Sequence, residues 1–275
     1  MYFLATPIGT ARDITLRALD ILASADVLAA EDTRSLRKLM DIHGVSLDGR
    51  PLIAYHDHNG SSARPRLLKA LDEGRSVAYA SEAGTPLIAD PGYQLGRAAR
   101  EAGHLVTAAP GPSAVLSALA VSGLATDSFF FAGFAPSASG QRQNFFRTLA
   151  DVPGTLVFYE SPNRVAKSLS DMVKIFGPDR EAVMARELTK KFEEVCRAPL
   201  AELAAQMSQR KLKGEVVLLV ARGEKAGFDE DSLEKMLREA LKTGTVKDAV
   251  NEVVQQTGEK RRTVYQLALT LEDGK

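Results

Sequence analysis

Two adjacent carboxylates, Glu31 and Asp32, follow an apolar segment, Val27–Ala30, that is typical of a buried strand. A carboxylate at the end of a strand can accept a proton from a substrate, so this pair could act as a general base. The same residues also suit a structural role, because Asp32 can cap a helix and pair with Arg34 or Arg37. The sequence leaves both interpretations open.

Two histidines, His56 and His58, follow another predicted strand, Pro51–Tyr55. Alternate residues of an extended segment share a face, so both imidazoles could bind one metal ion. The spacing of the other polar residues identifies no third ligand. We therefore expect no metal site, and contacts of these histidines with backbone or substrate instead.

A loop dense in glycine and proline, residues 81–93, follows the predicted strand Val77–Ala80. Its turn signals are Gly84, Thr85-Pro86 and Pro91-Gly92, and these residues shape a backbone that a ligand can approach closely. In open α/β sheets, ligands bind beyond the carboxyl ends of the strands, where this loop would lie. The alternative is an ordinary connection between a strand and a helix.

Helical segments separate these strands, and this alternation predicts an α/β fold with a mostly parallel sheet. Each predicted strand ends in a short segment that is polar or rich in Gly and Pro. Parallel strands would bring these segments to one edge of the sheet, where they would form a single cleft. In one of these segments, Ser113 is expected to cap the helix Ala114–Val121. The segments are Thr6–Thr10, Glu31–Arg34, His56–Asn59, Ser81–Pro86, Pro110–Ser113, Glu160–Arg164 and Arg186–Glu194.

Changes of pattern divide the chain into three predicted domains: residues 1–124, 125–226 and 231–275. The second begins with aromatic residues of a strand and continues with a helix, predicted to be exposed, that carries Arg142 and Arg147. The third contains three short amphipathic helices, whose apolar residues recur at helical spacing, and is predicted to form a helix-turn-helix type of bundle.

Three basic residues, Lys260, Arg261 and Arg262, stand at the start of the third helix of this bundle. A recognition helix would meet a nucleic acid at such a position. The alternative is a solvated basic turn on a bundle that serves only as a structural cap.

Composition and absent motifs narrow the class of protein. The 275 residues are 45% hydrophobic and 25% charged, and 35 basic residues balance 35 acidic ones, which is typical of a globular protein without a uniformly basic surface. The single cysteine, Cys196, cannot form an internal disulfide, and no apolar run reaches the length of a membrane span. We expect a cytoplasmic protein without membrane contact. P-loop, dinucleotide-binding and nucleophile-elbow motifs are absent from the sequence.

The residues at the predicted strand ends resemble those of the ribosomal RNA small subunit methyltransferase I family, within the tetrapyrrole-methylase superfamily. Seven sequence blocks carry the resemblance, in the family's order and spacing, between Tyr2 and about Gly223. They are Ala-Thr-Pro-Ile-Gly, Ala-Glu-Asp-Thr-Arg, Tyr-His-Asp-His-Asn, Ala-Gly-Thr-Pro-Leu-Ile-Ala-Asp-Pro-Gly, Pro-Gly-Pro-Ser-Ala, Phe-Tyr-Glu-Ser-Pro and Ala-Arg-Glu-Leu-Thr-Lys.

The resemblance implies two α/β domains with S-adenosylmethionine bound in the cleft between them, a small C-terminal three-helix bundle, and a homodimer. It also implies a set of cofactor contacts in both α/β domains. The residues at the matching positions are Pro7, Gly84, Thr85, Pro86, Ile88, Ser113, Ala114, Tyr159, Ala185, Glu215 and Val216.

The reaction that the resemblance implies is 2′-O-methylation of a cytidine in the decoding region of 16S ribosomal RNA, within the small ribosomal subunit. This reaction needs a proton acceptor and cations that hold RNA phosphates or lower the pKa of the hydroxyl. Candidate acceptors are Glu31, Asp32, Glu160 and Glu187; candidate cations are Arg34, Arg164, Arg186 and Lys190; further RNA contacts are expected at His56, His58, Lys260, Arg261 and Arg262.

The sequence is also compatible with two other functions. One is a methylase that acts on a small tetrapyrrole, although such a substrate needs no remote basic bundle. The other is a nucleic-acid-binding protein without enzymatic activity, in which the bundle alone makes the contact. Binding of S-adenosylmethionine separates the second alternative from the two enzymes.

Overall fold

Five parallel strands, with helices between and after them, form the first sheet of the computed structural model, which describes residues 1–56, 58–223, 230–257 and 259–273. The strand order is β3-β2-β4-β1-β5, and every neighbouring pair is parallel, as predicted. The strands are β1 (Tyr2–Leu4), β2 (Val27–Ala30), β3 (Leu52–Ala54), β4 (Val77–Ala80) and β5 (Thr107–Ala109); the helices are α1 (Leu16–Ser24), α2 (Thr33–Ile42), α3 (Gly60–Asp72), α4 (Tyr93–Glu101) and α5 (Ala114–Ser122).

The central strands of this sheet are buried on both faces, which explains why their sequences are continuously apolar rather than alternating. Leu28 of β2 packs with Leu22 and Met40 on one face. Tyr79 of β4 packs with Leu67 on the other face. The helices on both sides therefore hold the carboxyl ends of the strands at one fixed edge.

The second sheet is mixed, with the strand order β6-β7-β10-β8-β9. Strand β6 is parallel to β7, whereas the other three pairs are antiparallel, so the parallel pattern of the first sheet does not extend to it. The strands are β6 (Phe129–Phe134), β7 (Thr155–Glu160), β8 (Glu181–Arg186), β9 (Glu194–Pro199) and β10 (Val216–Val220); the helices are α6 (Ser139–Leu149), α7 (Val165–Phe176) and α8 (Leu200–Ser208).

The antiparallel direction of β10 decides which residues meet at the edge of the second sheet. Val216, the first residue of β10, pairs with Glu160 and Arg186, the last residues of β7 and β8. Glu215 therefore lies beside the carboxyl ends of β7 and β8, although it precedes its own strand.

The helix predicted to be exposed, α6, is instead anchored by a buried arginine. Arg142 is only 3% exposed, and its Nε donates to Asp171 of α7 at 3.0 Å. A buried guanidinium needs such a charged partner. The prediction holds for Arg147, which is exposed, and is wrong for Arg142, because the sequence does not show that Asp171, 29 residues away, supplies the partner.

The sequence predicts a helix over Arg64–Asp72, but helix α3 begins at Gly60, about one turn earlier. Pro65 lies inside the helix and has no N–H to donate, so one helical hydrogen bond is missing. The first turn is closed by the N–H of Ala63, which donates to the carbonyl oxygen of Asn59 at 3.0 Å. The earlier start brings residues 60 and 61 to the edge of the first sheet.

Three helices form the C-terminal unit, which is a separate compact unit by its internal contacts (Glu224–Lys275, against Met1–Gly223). They are α9 (Glu230–Ala240), α10 (Val246–Thr257) and α11 (Arg261–Asp273). Their predicted apolar faces meet in one core that includes Leu237, Val250 and Val264. The predicted limit at residue 226 falls outside the described residues, as does Gly258, which the sequence predicts in the turn before the third helix. In the described part of the chain, every helix is too short or too polar to cross a membrane.

Candidate active site between the two sheets

Helix α5 connects the two sheets, because its residues Val115 and Leu119 pack against Val157 and Val183 of the second sheet. A loop contact adds to this connection: the N–H of Thr10 donates to Oγ1 of Thr189 at 3.1 Å. Between the strand ends of the two sheets lies a cavity of about 680 Å³. This volume is in the range of sites for small molecules and cofactors. We call this cavity the cleft.

The loop after β4 forms one wall of the cleft with an unusual backbone. Gly84 has a φ of +80°, and it exchanges two backbone hydrogen bonds of 2.9 Å with Thr6. Leu87 and Ala89 also have positive φ values, +72° and +60°. Non-glycine residues in this conformation are strained and are found most often at functional sites. Thr85 anchors the loop, since its hydroxyl donates to the carbonyl oxygen of Pro112 at 2.9 Å.

The second sheet supplies the opposite wall through Tyr159, Ala185 and Val216. The Tyr159 ring stacks edge-on against Phe134, with ring centroids 5.6 Å apart. Burial, and then the negative charges of Asp90 and Glu215, raise the pKa of Tyr159 to about 12. The phenol therefore stays protonated and can donate a hydrogen bond into the cleft.

The cleft wall contains every residue to which the resemblance assigned a cofactor contact, except Pro86. These residues are Pro7, Gly84, Thr85, Ile88, Ser113, Ala114, Tyr159, Ala185, Glu215 and Val216. Ser113 stands at the amino end of α5 but makes no capping hydrogen bond within the described residues, so the expected side-chain cap is wrong. Ser113 instead lines the cleft.

Known families match nearly the whole chain. Tetrapyrrole (Corrin/Porphyrin) Methylases match residues 1–204, and the RsmI C-terminal HTH domain matches residues 227–272. The ribosomal RNA small subunit methyltransferase I of Mesorhizobium japonicum is 44% identical over 99% of this chain and 92% of its own. The protein of the same name from Escherichia coli O157:H7 is 41% identical over 98% and 94%. This chain belongs to the ribosomal RNA small subunit methyltransferase I family.

Solved structures confirm the predicted fold. The methyltransferase CobJ superposes with a TM-score of 0.62 at 20% identity, over 80% of this chain and 93% of its own. Uroporphyrin-III C-methyl transferase from Thermus thermophilus, complexed with S-adenyl homocysteine, gives 0.55 at 19% identity, over 80% and 96%. The chain is a methyltransferase with the fold of the tetrapyrrole methylases, and the methyl donor of its family is S-adenosylmethionine.

In this methyltransferase, Asp32 and Arg34 bind each other. The Asp32 carboxylate accepts a hydrogen bond from the N–H of Arg34 at 2.8 Å, at the start of α2, and pairs with its guanidinium at 3.1 Å. These bonds lower the pKa of Asp32. The arrangement favours the structural interpretation of Asp32, and neither residue belongs to the cleft wall among the described residues. Glu31 does line the cleft.

The carboxylates Glu160 and Glu187 are both engaged by cations. Glu160 is buried at the cleft wall and pairs with Arg164 at 3.2 Å. Glu187 accepts from Nζ of Lys190 at 2.9 Å, which lowers the pKa of its carboxyl group. Lys190 lies in the cleft wall and also donates to Glu215 at 2.7 Å. A cation therefore already pairs with each of these two candidate proton acceptors.

Asp90 is the cleft residue that the sequence did not single out. Its pKa is raised to about 7, because its burial and the nearby charges of Glu31 and Glu82 disfavour the ionised form. It lies in the cleft wall, between the strained residue Ala89 and Pro91. In the sequence it stands before a Pro-Gly turn, a common place for aspartate, so the sequence did not indicate its partial burial.

The residues expected to contact RNA lie in different environments. Arg186 pairs with Glu194 at 3.0 Å beside the second sheet, and Arg164 pairs with Glu160. His58 is exposed, and its ring lies 6.0 Å from the ring of the half-buried His56. Lys260, Arg261 and Arg262 are exposed where α11 begins. Across the described ranges, no group of three His, Cys, Asp or Glu side chains could hold a metal ion.

Proposed function

We propose that this chain transfers a methyl group from S-adenosylmethionine to the 2′-hydroxyl of a cytidine in the decoding region of 16S ribosomal RNA. The observation that carries the proposal is the cleft, where a strained glycine-containing loop adjoins a carboxyl group with a pKa of about 7. The full-length relatives named ribosomal RNA small subunit methyltransferase I support RNA as the acceptor.

The cleft residues fit S-adenosylmethionine. Apolar surface for the adenine ring and the methionine chain of the cofactor is provided by Ile8, Ile88, Ala114 and Leu188. Gly84 presents backbone instead of a side chain, and a Cβ there would lie only 3.3 Å from Cγ2 of Ile8. When bound, the sulfonium supplies an already activated methyl group, so the protein contributes mainly position and environment.

Asp90 is the proposed proton acceptor for the ribose hydroxyl. A general base is most effective when its pKa is near the working pH, and the pKa of about 7 meets this condition. The charges of Glu31 and Glu82 keep it there, which gives these residues a supporting role. The other carboxylates proposed from the sequence, Asp32, Glu160 and Glu187, bind cations instead.

The proposed substrate is the assembled small ribosomal subunit. A cleft between two domains cannot reach a nucleotide inside a duplex, so the target must be splayed out or single-stranded. The exposed cations Lys260, Arg261 and Arg262 would contact RNA phosphates elsewhere on the particle. We also propose a homodimer, supported by the exposed Phe129 and Phe130 on the edge strand β6.

Methyl transfer to three alternative acceptors tests this function. The protein is incubated with labelled S-adenosylmethionine and with small subunits from a strain that lacks the enzyme, the same RNA without ribosomal proteins, or a uroporphyrinogen. We expect label in the RNA of the subunits. Label in the tetrapyrrole would identify a small-molecule methylase, and the absence of both transfer and cofactor binding would indicate a nucleic-acid-binding protein without activity.

A further inference from the structure

A second, smaller cavity of about 240 Å³ lies beside the cleft, between the amino ends of α3 and α4. Asp90 lines both cavities, so they adjoin at this residue. The walls of the smaller one include His56, Ser61, Arg64 and Gln94, all able to donate hydrogen bonds. We call it the α3–α4 cavity.

Two buried nitrogen atoms of residues in this wall have no hydrogen-bond partner among the described residues. They are Nδ1 of His56 and Nε of Arg64. The Nε of an arginine always carries a proton, so it is a donor that has lost its water without gaining an acceptor. Buried donors in folded proteins are normally paired, so the unpaired Nε shows that the Arg64 guanidinium is not fully engaged by the described residues around it.

The two helices present further donors to the α3–α4 cavity. The Asn59 side chain could cap α3, but it accepts from the N–H of His56 at 2.8 Å and donates to the carbonyl oxygen of Ala54 at 2.9 Å. Gly92 precedes α4 and has no side chain to cap it. Neither helix end therefore has a side-chain cap among the described residues, and the positive end of each helix dipole adds to the attraction that Arg64 exerts on an anion.

An acidic residue in the wall would oppose the binding of an anion. Asp90 is this residue, and its raised pKa of about 7 leaves it partly protonated near neutral pH. When Asp90 is ionised, as the proposed base must be, the cation Arg64 in the same wall offsets its charge. The other polar residues of this wall, His56, Ser61 and Arg64, are hydrogen-bond donors and favour an anion.

The chemistry of the acceptor identifies the anion. S-adenosylmethionine contains no phosphate, whereas the ribose carbon that bears the 2′-hydroxyl is bonded to the carbon that bears the 3′-phosphate. A 2′-hydroxyl placed at Asp90 therefore brings a phosphate close to the adjoining cavity. We propose that the α3–α4 cavity binds the RNA phosphate next to the methylated ribose, with Arg64 as its main ligand. This assignment rests on the proposed function and adds a substrate subsite to it.

The test compares two arginines of the same helix in full-length protein, with small subunits from a strain that lacks the enzyme. Arg64 lines the cavity, whereas Arg66 is exposed and does not line it in the described part of the chain. We expect Arg64→Ala to raise KM for subunits by about 10- to 100-fold, the size of a charge-assisted hydrogen bond. Arg66→Ala should change KM by less than about twofold, as most exposed substitutions do.

Salt dependence identifies the lost contact as one to phosphate. The slope of log KM against log salt should fall by about 0.7 in Arg64→Ala, which corresponds to one single-strand phosphate. Arg64→Lys should be intermediate, because it keeps the charge but not the planar fork of donors. Calorimetric affinity for S-adenosylmethionine should be unchanged in all variants, which also shows that they are folded.

Three results would contradict the phosphate assignment. Equal KM values for Arg64→Ala and Arg66→Ala, with an active unmodified protein, would overturn the phosphate assignment and leave the proposed function intact. A fall in kcat alone, without a change in KM or in the salt slope, would likewise exclude a phosphate ligand. If the unmodified protein transfers no methyl group to subunits, the proposed function fails, and this assignment fails with it.

Discussion

The cleft and the C-terminal unit differ in backbone conformation and in the exposure of their charged residues. In the loop that forms one wall of the cleft, Leu87 and Ala89 have strained, positive φ values, and partial burial with the charges of Glu31 and Glu82 raises the pKa of Asp90 to about 7. In the C-terminal unit the helices are regular and their cations are exposed. Strain and burial create reactivity, whereas exposed charge creates long-range attraction. We infer that the cleft carries the reaction and the C-terminal unit carries docking.

The largest effect is expected for Asp90→Asn, which removes the proposed base but keeps the shape of the side chain. The rate constant for methyl transfer should fall by about 10²- to 10⁴-fold, the usual contribution of a general base. The affinity for S-adenosylmethionine should stay the same, because the asparagine fills the same place in the wall. Single-turnover transfer to subunits and calorimetry measure the two quantities.

The pH profile gives an independent check of the same residue. A base must be deprotonated to act, so the rate constant should rise tenfold per pH unit below the pKa of about 7 and become constant above it. Asp90→Asn should lose this inflection. An inflection that persists in the variant would assign the proton transfer to another group.

A smaller loss is expected for Gly84→Val, which should weaken binding of S-adenosylmethionine by at least about tenfold through backbone strain and crowding of Ile8. The matched control is Gly103→Val. Gly103 has nearly the same φ, +82°, but no atom within 4 Å of the added Cβ. Calorimetry should therefore show wild-type affinity for the control. Equal affinity in both variants would place the cofactor elsewhere.

The basic residues of the C-terminal unit are expected to act on docking alone. Replacing Lys260, Arg261 and Arg262 with Glu should remove about three phosphate contacts and lower the salt slope of log KM by about 2. Affinity for S-adenosylmethionine should not change, since the cleft belongs to the other unit. A triple Glu variant of the exposed Lys235, Arg238 and Lys242 in the same unit is the control for net charge. Identical KM values for the two triple variants would make the basic cluster a solvated turn.

No effect on the reaction is expected for Asp32→Asn. Asp32 holds the start of α2 and pairs with Arg34, outside the cleft wall. The variant should melt at a slightly lower temperature and transfer methyl groups at the wild-type rate. A loss comparable to that of Asp90→Asn would show that the wrong strand end had been assigned to proton transfer.

The regular elements and the loop around Gly84 could be predicted because the residues that determine them are close together in the sequence. The strands Val27–Ala30 and Val77–Ala80 have the predicted bounds, because a continuous apolar run bounded by polar residues marks a buried strand clearly. The loop around Gly84 was predicted as a ligand site from its glycine and prolines, and it forms the cleft wall. The role of each residue there stays a prediction.

The remaining features depend on partners distant in the sequence. Strand β9 was not predicted, and only its first residue, Glu194, was assigned to a polar segment, because the register of the strand is fixed only by its neighbour β8. The burial of Arg142 depends on Asp171, and the raised pKa of Asp90 depends on Glu31 and Glu82. These pairings form only when the chain folds, so no local sequence pattern predicts them.

The central claim is that the cleft methylates a ribose oxygen, and the most direct measurement determines where the methyl group is attached. Alkali cuts RNA through the 2′-hydroxyl, so a 2′-O-methyl group protects the following linkage, whereas a methyl group on a base does not. Small subunits from a strain that lacks the enzyme are incubated with the protein and labelled S-adenosylmethionine, and their RNA is hydrolysed in alkali. We predict that the label remains in an alkali-resistant dinucleotide that begins with cytidine. Label found only in mononucleotides would place the methyl group on a base and contradict the account.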